Sequence, residues 1–432
     1  MIDIKDLREN PDKYRTGAQK KNVGVDIDRI IALDDQRIRA QQTFEKFRSE
    51  QNEASKQIGK IQDAAEKQAA IKKMAGTRDK VKQAEEQMKS AEAELATLLL
   101  QVPQPPDEDV PVGKDATDNV VLYRWGEPRK FDFSPKSHIE LGQSLDILDF
   151  EAGVRLAGSR SYFLKGAAAE MHQAVLRLAL DMMVGEKGFT AMTVPVIVRD
   201  VAMQGTGFFP AGREQTYHVA EDEVFLTGTA EVGLTAYHMN ETLDEKDLPK
   251  KYVAVSTCFR REAGTYGKET AGLYRVHQFD KCEQVVICRN DVEESKHWHR
   301  EMLGYAEQLL QRLKLPYRVI QCCTGDIGVK NASMMDIETW MPSRQSGDDP
   351  DSGYGETHSA SRLYEFQSRR LNLRYKGTDA KIRYCHTLNN TVVASPRILI
   401  PILENYQNAD GSVTVPEALR PYMSGRDKIT PA

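Results

Sequence analysis

Two heptad seams separated by a short break confine the first hundred residues of this 432-residue chain to a long helical hairpin. Positions 30, 33, 37, 40, 44, 47, 51, 54, 58 and 61 carry Ile, Leu, Arg, Ala, Phe, Phe, Gln, Ala, Ile and Ile, so eight of the ten sites on the 3-4 spacing are apolar. Val81, Ala84, Met88, Ala91, Leu95 and Leu98 repeat that spacing without exception. Two such helices bury their seams against each other as an antiparallel pair over about residues 28–100, with Gly76 as the expected breaker. At ~1.5 Å per residue the first helix reaches about 48 Å, longer than a globular core needs. Between Lys56 and Lys82 eight Lys or Arg stand against three Asp or Glu, a local +5 in a chain of net charge −5. A solvated coiled-coil tip and a surface for phosphate backbones both fit that surplus.

The hairpin ends in QVPQPPDEDVPVG, residues 101–113, where four prolines and three acids make a semi-rigid connector. It divides the chain into an N-terminal domain over 1–105 and a larger domain over 106–432. No apolar run approaches ~18 residues, so no membrane span is expected. The opening MIDIKDLRENPDKY is charged from the start and lacks the apolar core of a secretion signal, which predicts a cytoplasmic location. Six cysteines occur, at 258, 282, 288, 322, 323 and 385; none forms a C-x-x-C pair, so reduced thiols and no zinc site are expected. The net negative charge argues against a general nucleic-acid binder and leaves RNA contact to a local patch.

Residues 259–283, FRREAGTYGKETAGLYRVHQFDKCE, hold the densest chemistry. Strand-like YVAVSTCF precedes them and EQVVIC follows, and Gly264, Thr265, Gly267, Lys268 and Gly272 mark a polar loop between. The pattern predicts two antiparallel strands carrying Arg260, Glu262, Arg275, Phe279 and Glu283. Arginine pairs bidentately with phosphate, an aromatic face stacks on a base, and a carboxylate holds an ammonium or hydroxyl. That set outlines a site for a nucleotide plus an amine.

FRREAG…GLYRVHQFDKCE resembles the second signature motif of class II aminoacyl-tRNA synthetases, in the form found in seryl-tRNA synthetases of bacterial type. The likeness extends over nearly the whole chain. It implies an α+β architecture: an N-terminal antiparallel coiled-coil arm, and a catalytic domain built on a mostly antiparallel β-sheet flanked by helices. It also implies a serine–tRNA ligase that activates L-serine with ATP and Mg²⁺ and transfers it to the 3′ end of tRNA(Ser), and to tRNA(Sec) where that exists. The arm would grip the tRNA, reading its shape more than its sequence. The helix from Ala167 through Met171, Val175, Leu178 and Met182, ended by Gly185 and Gly188, precedes a strand FTAMTVPVIV closed by Pro195. This pair resembles the first motif, which implies a homodimer.

Residue by residue, the resemblance gives serine contacts to Thr229, Ala230 and Glu231, with Asn389 and Thr391 from the third motif. Arg260 would bridge the α-phosphate and the amino-acid carboxylate, with Arg261 beside it, and Glu262 would seat the adenine amino group. Arg275 would reach the γ-phosphate, Val276 would offer main-chain contact to adenine, and Phe279 would stack on it. Glu283 would accept from the serine ammonium, its hydroxyl, or both. In YGETHSAS, Glu356 is the implied Mg²⁺ ligand with Ser359 nearby, and Thr357 and His358 fall in the same ATP-binding segment. Pro396 fits the first turn of a following helix, and Arg397 would meet the triphosphate at its N-terminus. The chain departs from the family at five places. Thr227-Gly228 replaces Ile-Pro, and Ala271 replaces an arginine. Gly355 stands where a phosphate-binding arginine is common, His358 replaces a small polar residue, and Arg362 replaces an asparagine. Arg362 is the candidate to supply the charge missing at 355.

Two rival readings follow from the same features. The departures at 355, 358 and 362 suit a synthetase-like binding protein without catalysis, and Arg260, Glu262, Glu356 and Arg397 argue against it. A ligase that loads a carrier protein would not need the long arm.

Overall fold

The computed structural model describes residues 1–264, 272–347, 349 and 351–431. Thr265, Gly267, Lys268 and Ala271 lie outside the described residues. The chain divides into two compact units: Met1–Gln19 with Val23–Pro103, and Lys20–Asn22 with Gln104–Ala432.

In the first unit, two short helices, α1 (Ile4–Glu9) and α2 (Pro11–Lys20), precede the long pair α3 (Ile27–Ile58) and α4 (Ala64–Leu99). Asp26 and Asp63 cap α3 and α4 by accepting from the backbone N–H groups of Arg29 and Glu66. The heptad seam is buried at its base, through Ile30, Leu33, Ala84, Ala91 and Leu95, and half-buried further out at Phe44, Phe47, Ala54 and Ile58. Two helices alone shield a seam only partly, so this gradient follows from the geometry. Buried Asp34 takes Arg8 at 2.9 Å and Arg37 at 2.7 Å, tying α1 to α3. The break falls at residues 59–63 and not at Gly76, which sits on the exposed side inside α4. The second seam runs back through Ala70, Met74 and Thr77, each half-buried, so packing carries the helix across the glycine.

The second unit is organised by an eight-stranded sheet, whose strands we number along the chain. They are β1 (Val120–Trp125), β2 (Thr190–Ala191), β3 (Lys250–Phe259), β4 (Gln278–Cys288), β5 (Tyr317–Gln321), β6 (Ser333–Trp340), β7 (Tyr354–Tyr364) and β8 (His386–Ser395). The spatial order is β1-β5-β6-β7-β8-β4-β3-β2, antiparallel throughout except where β2 meets β3. Helices Ala167–Gly185 and Val292–Arg312 bury Met171, Val175, Met182, Leu303 and Leu310 in the core they share with the sheet. Antiparallel strands buried on one face by helices leave the other face free to line a site.

Three expectations shift by a few residues. Arg260, Glu262 and Arg275 lie in the connections flanking β3 and β4, not on the strands, while Phe279 and Glu283 are on β4. FTAMTVPVIV is not one strand: it splits into Thr190–Ala191 and Ile197–Arg199 around Pro195, which cannot donate to a ladder. The helix after Pro396 begins at Leu399, so Arg397 precedes it by two residues.

Candidate active site

On β4 the side chains alternate, and Phe279, Lys281 and Glu283 face one open cleft. On its neighbour β8, a register shift sets Cys282 opposite Val393 but Glu283 opposite Thr391. That bulge changes the phase of β8, so Asn389 and Thr391 line the cleft on one side of it and Ala394 on the other. Thr391 Oγ1 lies 3.5 Å from Glu283 Oε2, a long hydrogen bond. Glu283 is 1% exposed and ion-pairs with Lys281. Burial pushes the Glu283 carboxyl above its usual range, while the Lys281 charge pulls the other way.

A second buried pair stands across this pocket. Glu231 Oε1 accepts from Lys330 Nζ at 2.5 Å and from Gln367 Nε2 at 2.7 Å. Thr229 Oγ1 accepts from the Glu231 backbone N–H at 3.2 Å. The Lys330 ammonium also lies 3.9 Å from the centroid of the Phe208 ring, and its burial lowers its pKa.

Arg260 leaves β3 with its N–H bonded to the His277 carbonyl at 2.9 Å, and its guanidinium carbon lies 5.2 Å from the Phe279 ring centroid. Glu262 adopts a left-handed φ of 50° and meets Arg275 at 3.4 Å and Arg160 at 3.8 Å. Arg397 donates to the Tyr274 carbonyl at 3.0 Å and the Glu356 carbonyl at 3.2 Å, and its Nη1 lies 3.6 Å from Glu356 Oε1. The Glu356 side chain is 46% exposed, open to a ligand. Below it Asp336 is buried, and burial followed by the charge of Glu356 drives its carboxyl well above the usual range.

The cleft therefore gathers Thr229, Glu231, Arg260, Glu262, Arg275, Val276, Phe279, Glu283, Glu356, Thr357, Ser359, Asn389, Thr391 and Arg397. Three expected residues do not line it: Ala230, Arg261 and His358. Ala230 is packed in a small apolar cluster with Leu234 and Val285. The Arg261 guanidinium donates to the Glu214 carbonyl at 3.1 Å. His358 is 1% exposed, hydrogen-bonds Thr357 through Nδ1 at 2.8 Å, and is pushed down to about 3 by burial. Arg362 cannot supply the charge absent at 355, because it is buried against Asp107 and near the Tyr364 ring. Lys281, Lys330, Arg160 and Asp336 were not anticipated. Alternation along β4 flags Lys281, two residues before Glu283; nothing local flags the other three.

A family model described as the seryl-tRNA synthetase N-terminal domain matches residues 1–106. Another, the class II tRNA synthetase core domain (G, H, P, S and T), matches residues 216–406. A serine–tRNA ligase of Deinococcus radiodurans is 45% identical over 429 residues, covering 99% of each chain. One from Fervidobacterium nodosum is 43% identical, with both chains fully covered. Among solved structures, the seryl-tRNA synthetase of Pyrococcus horikoshii complexed with ATP superposes with a TM-score of 0.90 at 36% identity, again over the full length of both.

Proposed function

Because the chain belongs to the seryl-tRNA synthetases, we propose that its cleft forms seryl-adenylate from L-serine and ATP and passes the seryl group to tRNA(Ser), and to tRNA(Sec) where present. The observation that carries the assignment of residues is the bulged β4–β8 register, which turns Glu283, Asn389 and Thr391 toward the same cleft as Arg260, Arg275 and Arg397.

The serine carboxylate attacks the α-phosphorus in line and pyrophosphate leaves. The terminal ribose hydroxyl of the tRNA then takes the acyl group. The first nucleophile is already charged, so this chain contributes position and charge neutralisation. Arg260 aligns the carboxylate with the α-phosphate. Glu262 and Val276 meet adenine beside Phe279, and Arg275 and Arg397 hold the outer phosphates. Thr229, Glu231, Glu283, Asn389 and Thr391 hold the amino acid. A buried site that hydrogen-bonds a hydroxyl disfavours alanine by ~10⁴, because its own polar groups would be left unpaired.

The donor set at Glu356 fits Mg²⁺: one open carboxylate with Ser359 beside it suits an ion that takes one or two carboxylates and otherwise phosphate oxygens. Bound there, Mg²⁺ would offset the charge of the phosphates. Among the described residues no helix is long and apolar enough to cross a membrane, and the work falls to the cytoplasm. A homodimer agrees with exposed apolar side chains at Val154, Leu156, Phe163, Ile197 and Val201. The residues from 1 to 105 serve the tRNA, and eight exposed Lys and Arg from Lys56 to Lys82 offer its backbone a basic surface. Serine-dependent ATP–pyrophosphate exchange, run against each amino acid and followed by charging of total tRNA, tests the whole reading. Exchange with another amino acid in preference to serine would overturn it.

A further inference from the structure

We propose that Lys330 is a specificity-determining residue that donates a hydrogen bond to the side-chain hydroxyl of the amino acid. The inference rests on the reading of the cleft as a site for serine and ATP. Lys330 stands in the turn before β6, and that turn is anchored on both sides of it. Lys21 Nζ donates to the Gly328 carbonyl at 2.9 Å and to the Asn331 carbonyl at 2.5 Å. Asn331 Nδ2 donates in turn to Ser361 Oγ at 2.8 Å. The lysine stem packs over Gly207, whose φ is 81°. A Cβ at that glycine would come within 3.4 Å of Lys330 Cβ and Cδ and 2.9 Å of Phe366 Cε1, so the missing side chain makes room for the stem. At its end the ammonium lies over the Phe208 ring and pairs with Glu231.

An ammonium has three N–H donors, and among the described residues Glu231 is the one hydrogen-bond partner of Lys330. The lysine side chain is 14% exposed and lines the cleft, so its other donors are open to what binds there. Gln367, the second donor to Glu231, has both amide N–H groups engaged: Nε2 serves the Thr206 carbonyl at 2.9 Å and Glu231 Oε1 at 2.7 Å. Serine offers a lysine two acceptors, its carboxylate and its hydroxyl oxygen. On the proposed assignment the carboxylate is held at Arg260 for attack, which leaves the hydroxyl. The serine ammonium is repelled by Lys330 and turns to the carboxylates of Glu283 and Glu231.

The experiment compares the full-length wild type with Lys330→Met and Glu231→Gln. Calorimetry measures the binding of seryl-sulfamoyl adenosine and alanyl-sulfamoyl adenosine, adenylate mimics that differ only by the hydroxyl. Lys330→Met is expected to lower the preference for the seryl compound about tenfold or more. Whatever the freed Glu231 carboxylate does to the ammonium is common to both compounds and cancels in that ratio. Glu231→Gln is expected to weaken both compounds alike and keep the wild-type preference. A smaller fall in Lys330→Met, with both compounds changing alike, would make the lysine a support for Glu231 alone. Collapse of the preference in Glu231→Gln would pass the hydroxyl to that carboxylate; either result overturns the proposal. If either single variant does not fold, Lys330→Met/Glu231→Gln removes both members of the pair together, and a wild-type preference there overturns the proposal. Failure of the wild type to bind either compound would instead sink the reading of the cleft.

Discussion

Replacing Glu283 by Gln keeps the shape of the side chain and removes its charge. Three consequences can be worked from its surroundings. The Glu283 and Lys281 side chains are 2% and 8% exposed, so the variant leaves a buried ammonium without its partner. Breaking such a pair costs about 3–5 kcal/mol. A hydrogen bond to a charged group is worth about 1.5–3 kcal/mol, so losing the one made to serine lowers kcat/KM by about ten- to 150-fold. The uncompensated Lys281 then repels the serine ammonium, which pushes the total loss beyond about a hundredfold. Serine-dependent pyrophosphate exchange reads the catalytic loss, and the thermal midpoint reads the loss of stability. The double variant Lys281→Met/Glu283→Gln is expected to regain most of the thermal midpoint, because neither charge is left buried, and to stay deficient with serine. A folded Glu283→Gln enzyme with near-normal exchange would refute the placement of this carboxylate in the amino-acid pocket.

Deleting residues 30–98 is expected to spare adenylate formation and abolish tRNA charging; retained charging would mean that the arm is not the RNA grip. Stability should fall as pH drops from 6.5, because His299 and His358 are held down to about 3 and His386 to about 4 by burial. Between those values and 6.5 the unfolded chain binds protons that the folded one does not, so unfolding free energy rises with pH in that window. A thermal midpoint unchanged between pH 7 and pH 5 would contradict this. Glu356→Gln should raise the Mg²⁺ concentration for half-maximal exchange at least about tenfold, and an unaltered Mg²⁺ titration would shift the metal role elsewhere.

What the sequence made legible was what depends on period and local chemistry. The arm was readable because its apolar residues recur on one helical face, and the missed part of the seam is where that face weakens to Ala70, Met74 and Thr77. Gly76 misled because a single exposed glycine costs a helix only about 1 kcal/mol, less than continuous packing across it returns. The strand cores were legible, but their ends were not: Arg260 and Arg275 fall outside β3 and β4, where hydrogen bonding and not side-chain pattern sets the limit. Lys330 was out of reach because its partner Glu231 is 99 residues away in the chain. Arg362 misled for the same reason. Its charge was visible and its partner, Asp107, was not.

On the assignment of residues proposed above, the distribution of charge over the cleft accounts for one site accepting two unlike substrates. In the half proposed to take the amino acid, Glu231 is matched by Lys330 and Glu283 by Lys281, so these four side chains together carry no net charge before serine arrives. Serine is a zwitterion, and a neutral, internally paired pocket selects it by the placement of donors and acceptors and not by attraction alone. In the nucleotide half, Glu262 meets Arg160 and Arg275 and Glu356 meets Arg397, three arginines to two carboxylates among these side chains, which suits a polyanion. Arg260 lies near Phe279 and, on the proposed assignment, stands between the halves where the serine carboxylate would meet the α-phosphate. Both reacting groups are negative, and their mutual repulsion is the barrier that a guanidinium at this point lowers most.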